Sequence, residues 1–277
     1  MLIMCIMITD VEPSGTELYD AEILTHDKRL LIYRNTIATE KNELMIVPFP
    51  LDENRYDECA LADIKYFEEY MSQIRDSFGN IPYSNSYSLN SYSGPAKLHV
   101  HQVGNYQISI APNLDELTTR VDWDKFTLPV NFQSRLDTLK NEQLYPWPCG
   151  YVVAEVNGGS VSNDGFALAY PNPGFAYFPT AHEDNGGEIV YYDVDCYAAG
   201  LKEGNFREIS GASNKVVDFV RACDGKNEFL TFRSKGFPVS KIGIKGMQPN
   251  RNIILGDTEG QGMTDALFPI GMRVGSF

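Results

Sequence analysis

Between residues 151 and 197 the chain reads as short apolar runs separated by turn residues, and this rhythm constrains the fold more than any other feature. The run 151–156 is followed by Asn157-Gly158-Gly159, and 166–170 by Pro171-Asn172-Pro173-Gly174. The run 175–178 leads through Asp184-Asn185-Gly186-Gly187 into 188–197. Runs this short favour strands, because helices usually need about ten residues or more. Gly, Pro and Asn supply the backbone geometries of tight turns. The pattern predicts an antiparallel meander in which 175–178 pairs with 188–197. Sixteen Tyr and fifteen Phe among 277 residues point the same way, since aromatic side chains fit a pleated surface. The expected fold class is α+β, an antiparallel β-rich core with a few short packed helices.

The rest of the chain fills in around that core. Residues 2–7 predict a first strand, 21–25 and 30–34 a hairpin about His26-Asp27-Lys28-Arg29, and 44–49 a strand ended by Pro48 and Pro50. Leu61, Ile64, Phe67, Met71, Ile74 and Phe78 recur at three- and four-residue steps, which predicts an amphipathic helix over 61–78 lying on a sheet. A hairpin is expected from 98–101 and 106–110. Asn113 with Glu116 three residues on is the start signal of a short helix. Further helices are expected over 132–144 and 214–222, and short strands or loops over 242–277. Residues 80–96, rich in Tyr, Ser and Asn, separate an N-terminal region, 1–79, from a C-terminal one, 97–277, within what is expected to be one continuous globule.

Composition narrows the function classes. Thirty-seven acids against twenty-three bases give a formal charge of −14, which repels a nucleic-acid backbone at long range. Cys5, Cys59, Cys149, Cys196 and Cys223 are odd in number and widely spaced, without a C-x-x-C pair. They are expected to be free thiols in a reducing, cytoplasmic compartment. The apolar start, 1–7, is too short for a membrane span and lacks the basic flank of a signal peptide.

Two clusters invite metal or acid–base chemistry. His182, Glu183 and Asp184, followed by Asp193 and Asp195, bring one imidazole and four carboxylates close in sequence, the donor types a divalent metal takes. The same residues also build a polar turn, with His182 fixed by a hydrogen bond within residues 180–195. His99 and His101 stand two apart on one strand, so both share a face as a metal pair or as exposed polar positions. No nucleophile elbow, phosphate loop or dinucleotide fingerprint occurs, and no cofactor is expected.

Three segments resemble a protein family to which no activity is attached. Gly104 to Leu117 is similar to its G-x-Y-x-x-S-x-x-P segment, Cys149-Gly150-Tyr151 to its aromatic strand entry, and Pro179-Thr180-Ala181-His182-Glu183 to its P-T-x-H-x motif. The resemblance covers roughly residues 98–196 and implies interest in His182 without assigning it chemistry. The pattern often carries a second His where this chain has Asp184-Asn185.

The leading expectation is a non-catalytic binding or interaction module that offers Tyr83, Tyr87 and Tyr92 to a protein partner, with no nucleic-acid or membrane ligand. Tyr among Ser, Asn and Gly suits adaptable contact surfaces. The alternative is a metal-dependent hydrolase or small-molecule enzyme centred on His182.

Overall fold

In the computed structural model the described residues are 6–7, 14–23, 27–78, 100–103, 106–140, 145–157, 160–181, 189–199, 213–222, 231–250 and 252–256. Among them, strands dominate and nearly every strand pair is antiparallel. The middle strands carry apolar residues at successive positions, so both their faces are buried. In β3 (Lys28–Thr39), Leu31, Tyr33 and Ile37 enter one core, while Leu30 and Ile32 enter another. In β4 (Glu43–Pro50), Met45, Val47 and Phe49 face inward, and Leu44 and Ile46 face a third cluster. With a side-chain period of two, this pattern demands a layer on each side of the strand.

The layers are the two larger of three described sheets, with helices outside them. One sheet has the order β1-β4-β8-β7-β6, with β1 (Ile6–Met7), β6 (His101–Val103), β7 (Tyr106–Ala111) and β8 (Cys149–Val156). The other has the order β12-β13-β11-β2-β3-β9-β5. Its members are β2 (Ser14–Ile23), β5 (Ala60–Asp63), β9 (Ser160–Pro171), β11 (Ile189–Ala199), β12 (Ser213–Ala222) and β13 (Thr231–Pro249). The main core lies between the sheets, where the Tyr106 hydroxyl of one donates to Asn35 Oδ1 of the other at 3.0 Å. Helix α1 (Glu68–Ser77) covers the outer face of the larger sheet through Tyr70, Met71 and Ile74. Helices α2 (Leu114–Arg120) and α3 (Phe132–Thr138) cover the smaller sheet through Leu117, Leu136 and Leu139. Arg135 of α3 donates to the Met7 carbonyl at 2.6 Å, satisfying a backbone acceptor of the edge strand β1.

Several sequence expectations hold. β2 and β3 form the hairpin, with Asp27 at φ 48° in the turn, a left-handed conformation that its short polar side chain tolerates. β6 and β7 pair, and the Asn113 side chain accepts from the Glu116 amide at 2.9 Å to start α2.

Others are corrected. Residues 214–222 are a strand, β12, not a helix. A register shift between Val217 and Phe219 inserts a bulge, and this breaks the alternation that would have marked the strand. The helix expected over 61–78 begins late: Ala60–Asp63 is β5, a 3-10 turn spans Ile64–Phe67, and α1 follows. Asp63 makes the switch, accepting from the Lys65 amide at 2.9 Å and ending the strand with a cap. Pro48 and Pro50 sit within β4, where the described part of β1 reaches only Met45 and Ile46 and demands no further amide donor. The 151–197 meander is not one sheet. β8 joins the smaller sheet and β9 the larger, so the chain changes layer between Val156 and Ser160. β10 (Phe175–Phe178) pairs with β14 (Ile253–Gly256), while β11 pairs with β13 and, in parallel, with β2. Over 242–249 the 19-residue β13 replaces the short pieces expected there, β14 is a short strand as expected, and 257–277 lie outside the described residues.

Candidate functional site

Two buried ionic clusters brace the larger sheet. Glu17 of β2 accepts from Arg75 of α1 at 2.8 Å and from the Tyr19 hydroxyl at 3.2 Å, and Arg34 of β3 stands 3.7 Å away. Burial first, and then the Glu17 carboxylate, push the Tyr19 hydroxyl well above its ordinary value, so it remains a donor. Tyr19 stacks on Tyr197 of β11 at 4.7 Å, and Phe78, which closes α1, packs 5.9 Å from the same Tyr197 ring. The helix end from which residues 79–99 depart is therefore tied to the sheet by an ion pair and an aromatic contact. The segment re-enters at β6, where His101 is exposed opposite Ile108, and β6 lies against β5, the edge of the other sheet.

The second cluster surrounds Asp20. Its carboxylate accepts from Arg29 Nε at 2.6 Å and from a second Arg29 nitrogen. It also accepts from the Tyr170 hydroxyl at 3.0 Å and the Tyr177 amide at 3.2 Å. Burial raises the Asp20 carboxyl above its usual range, and Arg29 with these donors pulls against that rise.

The sequence-predicted residues fall as follows. His182, Glu183, Asp184, His99, Tyr83, Tyr87 and Tyr92 lie outside the described residues. The residue before His182 is held, because the Ala181 amide donates to Asn252 Oδ1 at 3.0 Å. Asp193 and Asp195 occupy alternate positions of β11, in register with Lys245 and Gly243. Asp195 is engaged by Lys241 at 2.8 Å, and that ammonium also lies 5.5 Å from the Tyr197 ring. The expected pairing that would bring Asp193 beside the His182 segment is not made, because β10 pairs with β14 instead. Among the described residues no group of three or more His, Cys, Asp and Glu could hold a metal ion. Cys59, Cys149 and Cys196 are free, and burial pushes the first two thiols up to about 12, the reverse of an activated nucleophile. No described helix is long and apolar enough to cross a membrane.

One feature escaped sequence reasoning. Tyr145, Pro146, Trp147 and Pro148 line an open cleft of about 380 Å³, with Phe175 and Tyr177 of β10 packed edge-on against the Trp147 ring at 5.8 and 5.5 Å. The Pro-Trp-Pro run was its only signal, and by sequence it reads simply as a helix stop.

No family model and no curated protein sequence matches the chain. Among solved structures it is similar to baculovirus P35, at 15% identity over 91% of this chain and 99% of that one, with a TM-score of 0.53. It is also similar to a mutated baculovirus P35 after caspase cleavage, at 17% identity over 88% and 99%, with a TM-score of 0.51. The likeness is one of fold. It spans both sheets, and at this level of identity it carries no side-chain roles across.

Proposed function

We propose that this chain is a non-catalytic protein-binding module that offers residues 80–96, with Tyr83, Tyr87 and Tyr92, to a protein partner. The observation that carries this reading is the likeness to P35 over nearly the whole chain, because P35 is a fold that has been solved after a caspase acted on it. A peptidase is accordingly the first class of partner to test. The framework supports the reading: Phe78 and Arg75 fix the helix end that precedes the segment, and β6 receives the chain beyond it. Residues 79–99 contain no Asp or Glu, so the surface that fits them needs pockets for neutral aromatic side chains rather than a basic patch.

The test compares the full chain with a variant lacking residues 83–93, and with Tyr83→Ser/Tyr87→Ser/Tyr92→Ser, in a pull-down and in binding to an active caspase as a defined probe. Both variants are expected to lose the partner, with affinity down at least about tenfold for the triple change. A partner set unchanged by either variant, with the fold intact by circular dichroism, would overturn the role given to the segment.

A further inference from the structure

Residues 126–134, Phe-Thr-Leu-Pro-Val-Asn-Phe-Gln-Ser, carry no charge and join the short turn Trp123–Lys125 to α3. Val130 is fully exposed and Leu128 is 38% exposed, so this loop holds an apolar tip out to solvent. The loop is fastened at both feet. At one, the Trp123 indole donates to the Thr118 carbonyl at 3.0 Å and the Phe126 amide to the Trp123 carbonyl at 3.1 Å. At the other, the Phe132 amide donates to the Pro129 carbonyl at 3.0 Å and Arg135 Nε to Asn131 Oδ1 at 3.2 Å. The Trp123 and Phe132 rings close the base, 4.9 Å apart. A loop fastened in this way has little freedom left to lose on binding, and an apolar tip kept outside the fold marks a contact surface.

Its place on the smaller sheet decides what it can touch. Lys125 lies 3.9 Å from Glu155, and Arg135 donates to the carbonyl of Met7, whose partner Met45 stands opposite Ala154. Both feet therefore stand at the Ala154–Glu155 end of β8. The open cleft of Tyr145, Pro146, Trp147 and Pro148 adjoins Cys149, the other end of that strand, about 20 Å away at the rise of a β-strand. Pro146 and Pro148 are exposed at its mouth, and none of the four lining residues carries a charge.

We propose that the loop 127–131 of one copy of this chain seats in the 145–148 cleft of a second copy, with Leu128 and Val130 against Pro146, Trp147 and Pro148. The loop is held away from the cleft of its own chain, so the contact forms between molecules. A cleft of about 380 Å³ admits aliphatic side chains, and no charge on either surface is buried by the contact. Loop and cleft are different surfaces, so the contact runs head to tail and leaves each copy able to engage a further one. The formal charge of −14 on every copy opposes approach at long range, and added salt should therefore strengthen the association. This contact is separate from residues 80–96 and needs no partner there.

Sedimentation equilibrium tests this on the full chain, at low and high salt and up to about 1 mM protein, because small contacts bind weakly. The wild type is expected to gain mass with concentration, more so at high salt. Leu128→Asp/Val130→Asp and Pro146→Asp change exposed side chains, and each alone should weaken association at least tenfold with an unchanged circular dichroism spectrum. Mixed together, the two variants should form a 1:1 dimer and nothing larger, since one keeps a working cleft and the other a working loop. A wild type that stays monomeric at both salts would overturn the proposal, and so would a mixture that does not associate. Association lost in the loop variant but kept in Pro146→Asp would assign the contact to two loops meeting tip to tip instead.

Discussion

Asp20 shows what a single residue contributes to this sheet. It is fully buried, and an unpaired carboxylate there would be costly to keep ionised. Arg29 supplies two donors and Tyr170 and the Tyr177 amide supply two more, so the charge is held within β2, β3, β9 and β10 together. Removing Arg29 alone leaves the burial that already raises Asp20 without its main opponent. Arg29→Met is therefore expected to cost about 3–5 kcal/mol near neutral pH, the usual result of breaking one half of a buried pair. The sign of the pH dependence follows from linkage. A carboxyl whose folded value stands above its unfolded value of about 3.9 stabilises the fold below that value, and this stability is lost as pH rises. The deficit of Arg29→Met should thus be smaller at pH 4.5 than at pH 7, and smaller still in an Asp20→Asn background. Urea unfolding of the four proteins at both values checks this, and a deficit independent of pH would show that Asp20 does not carry it.

At the scale of elements, the close approach of β9 to β3 sets a sharp constraint. Gly165 lies opposite Arg34, and a Cβ there would overlap the Tyr33 carbonyl oxygen and stand 2.9 Å from Arg34 Cα. Backbone cannot yield as a side-chain tip does, so Gly165→Ala should destabilise by at least about 2 kcal/mol in thermal or urea unfolding. Gly150→Ala meets only the side chains of Phe49 and Leu51, which can move, and should cost less. Element by element, local signals were legible where neighbours agreed with them. The β2–β3 hairpin, the Asn113 cap and the apolar stripe of α1 each rest on residues within a few positions of one another. What was not legible depended on long-range choices. No local feature states that β8 and β9 part into different layers, or that β10 prefers β14 to β11. The bulge in β12 imitates a helical spacing because it resets the strand period midway. The candidate site divides in the same way: the Tyr-rich segment stands out by composition, while the cleft requires Trp147 to meet Phe175 and Tyr177 from another strand.

On the scale of the whole molecule, the chain before residue 79 and the chain after residue 100 do not form separate sheets. β4 runs against β8 from Glu43↔Val156 to Pro50↔Cys149, and β3 against β9 from Lys28↔Pro171 to Thr39↔Ser160. β2 adds a parallel ladder to β11, and β5 pairs with β9. The core between the sheets mixes both parts, with Leu31, Tyr33, Met45 and Phe49 from the first and Ile108, Val152, Phe166 and Tyr177 from the second. A break between the two parts should therefore sever the backbone without separating the halves. Each half alone would expose long unpaired strand edges and an apolar face, so association is favoured over two folded fragments. Replacing residues 86–91 by the recognition sequence of a site-specific protease and cutting it should yield one species on native size exclusion, two bands under denaturing electrophoresis, and a thermal midpoint lowered by only a few degrees. The lowering has a cause, since the cut restores to the unfolded state the freedom of two independent chains and makes stability depend on protein concentration. Fragments that part at micromolar concentration without denaturant would show that the interleaved ladders do not hold the molecule together. Fragments that stay joined would show that the interleaved ladders hold both parts together without the covalent link between them.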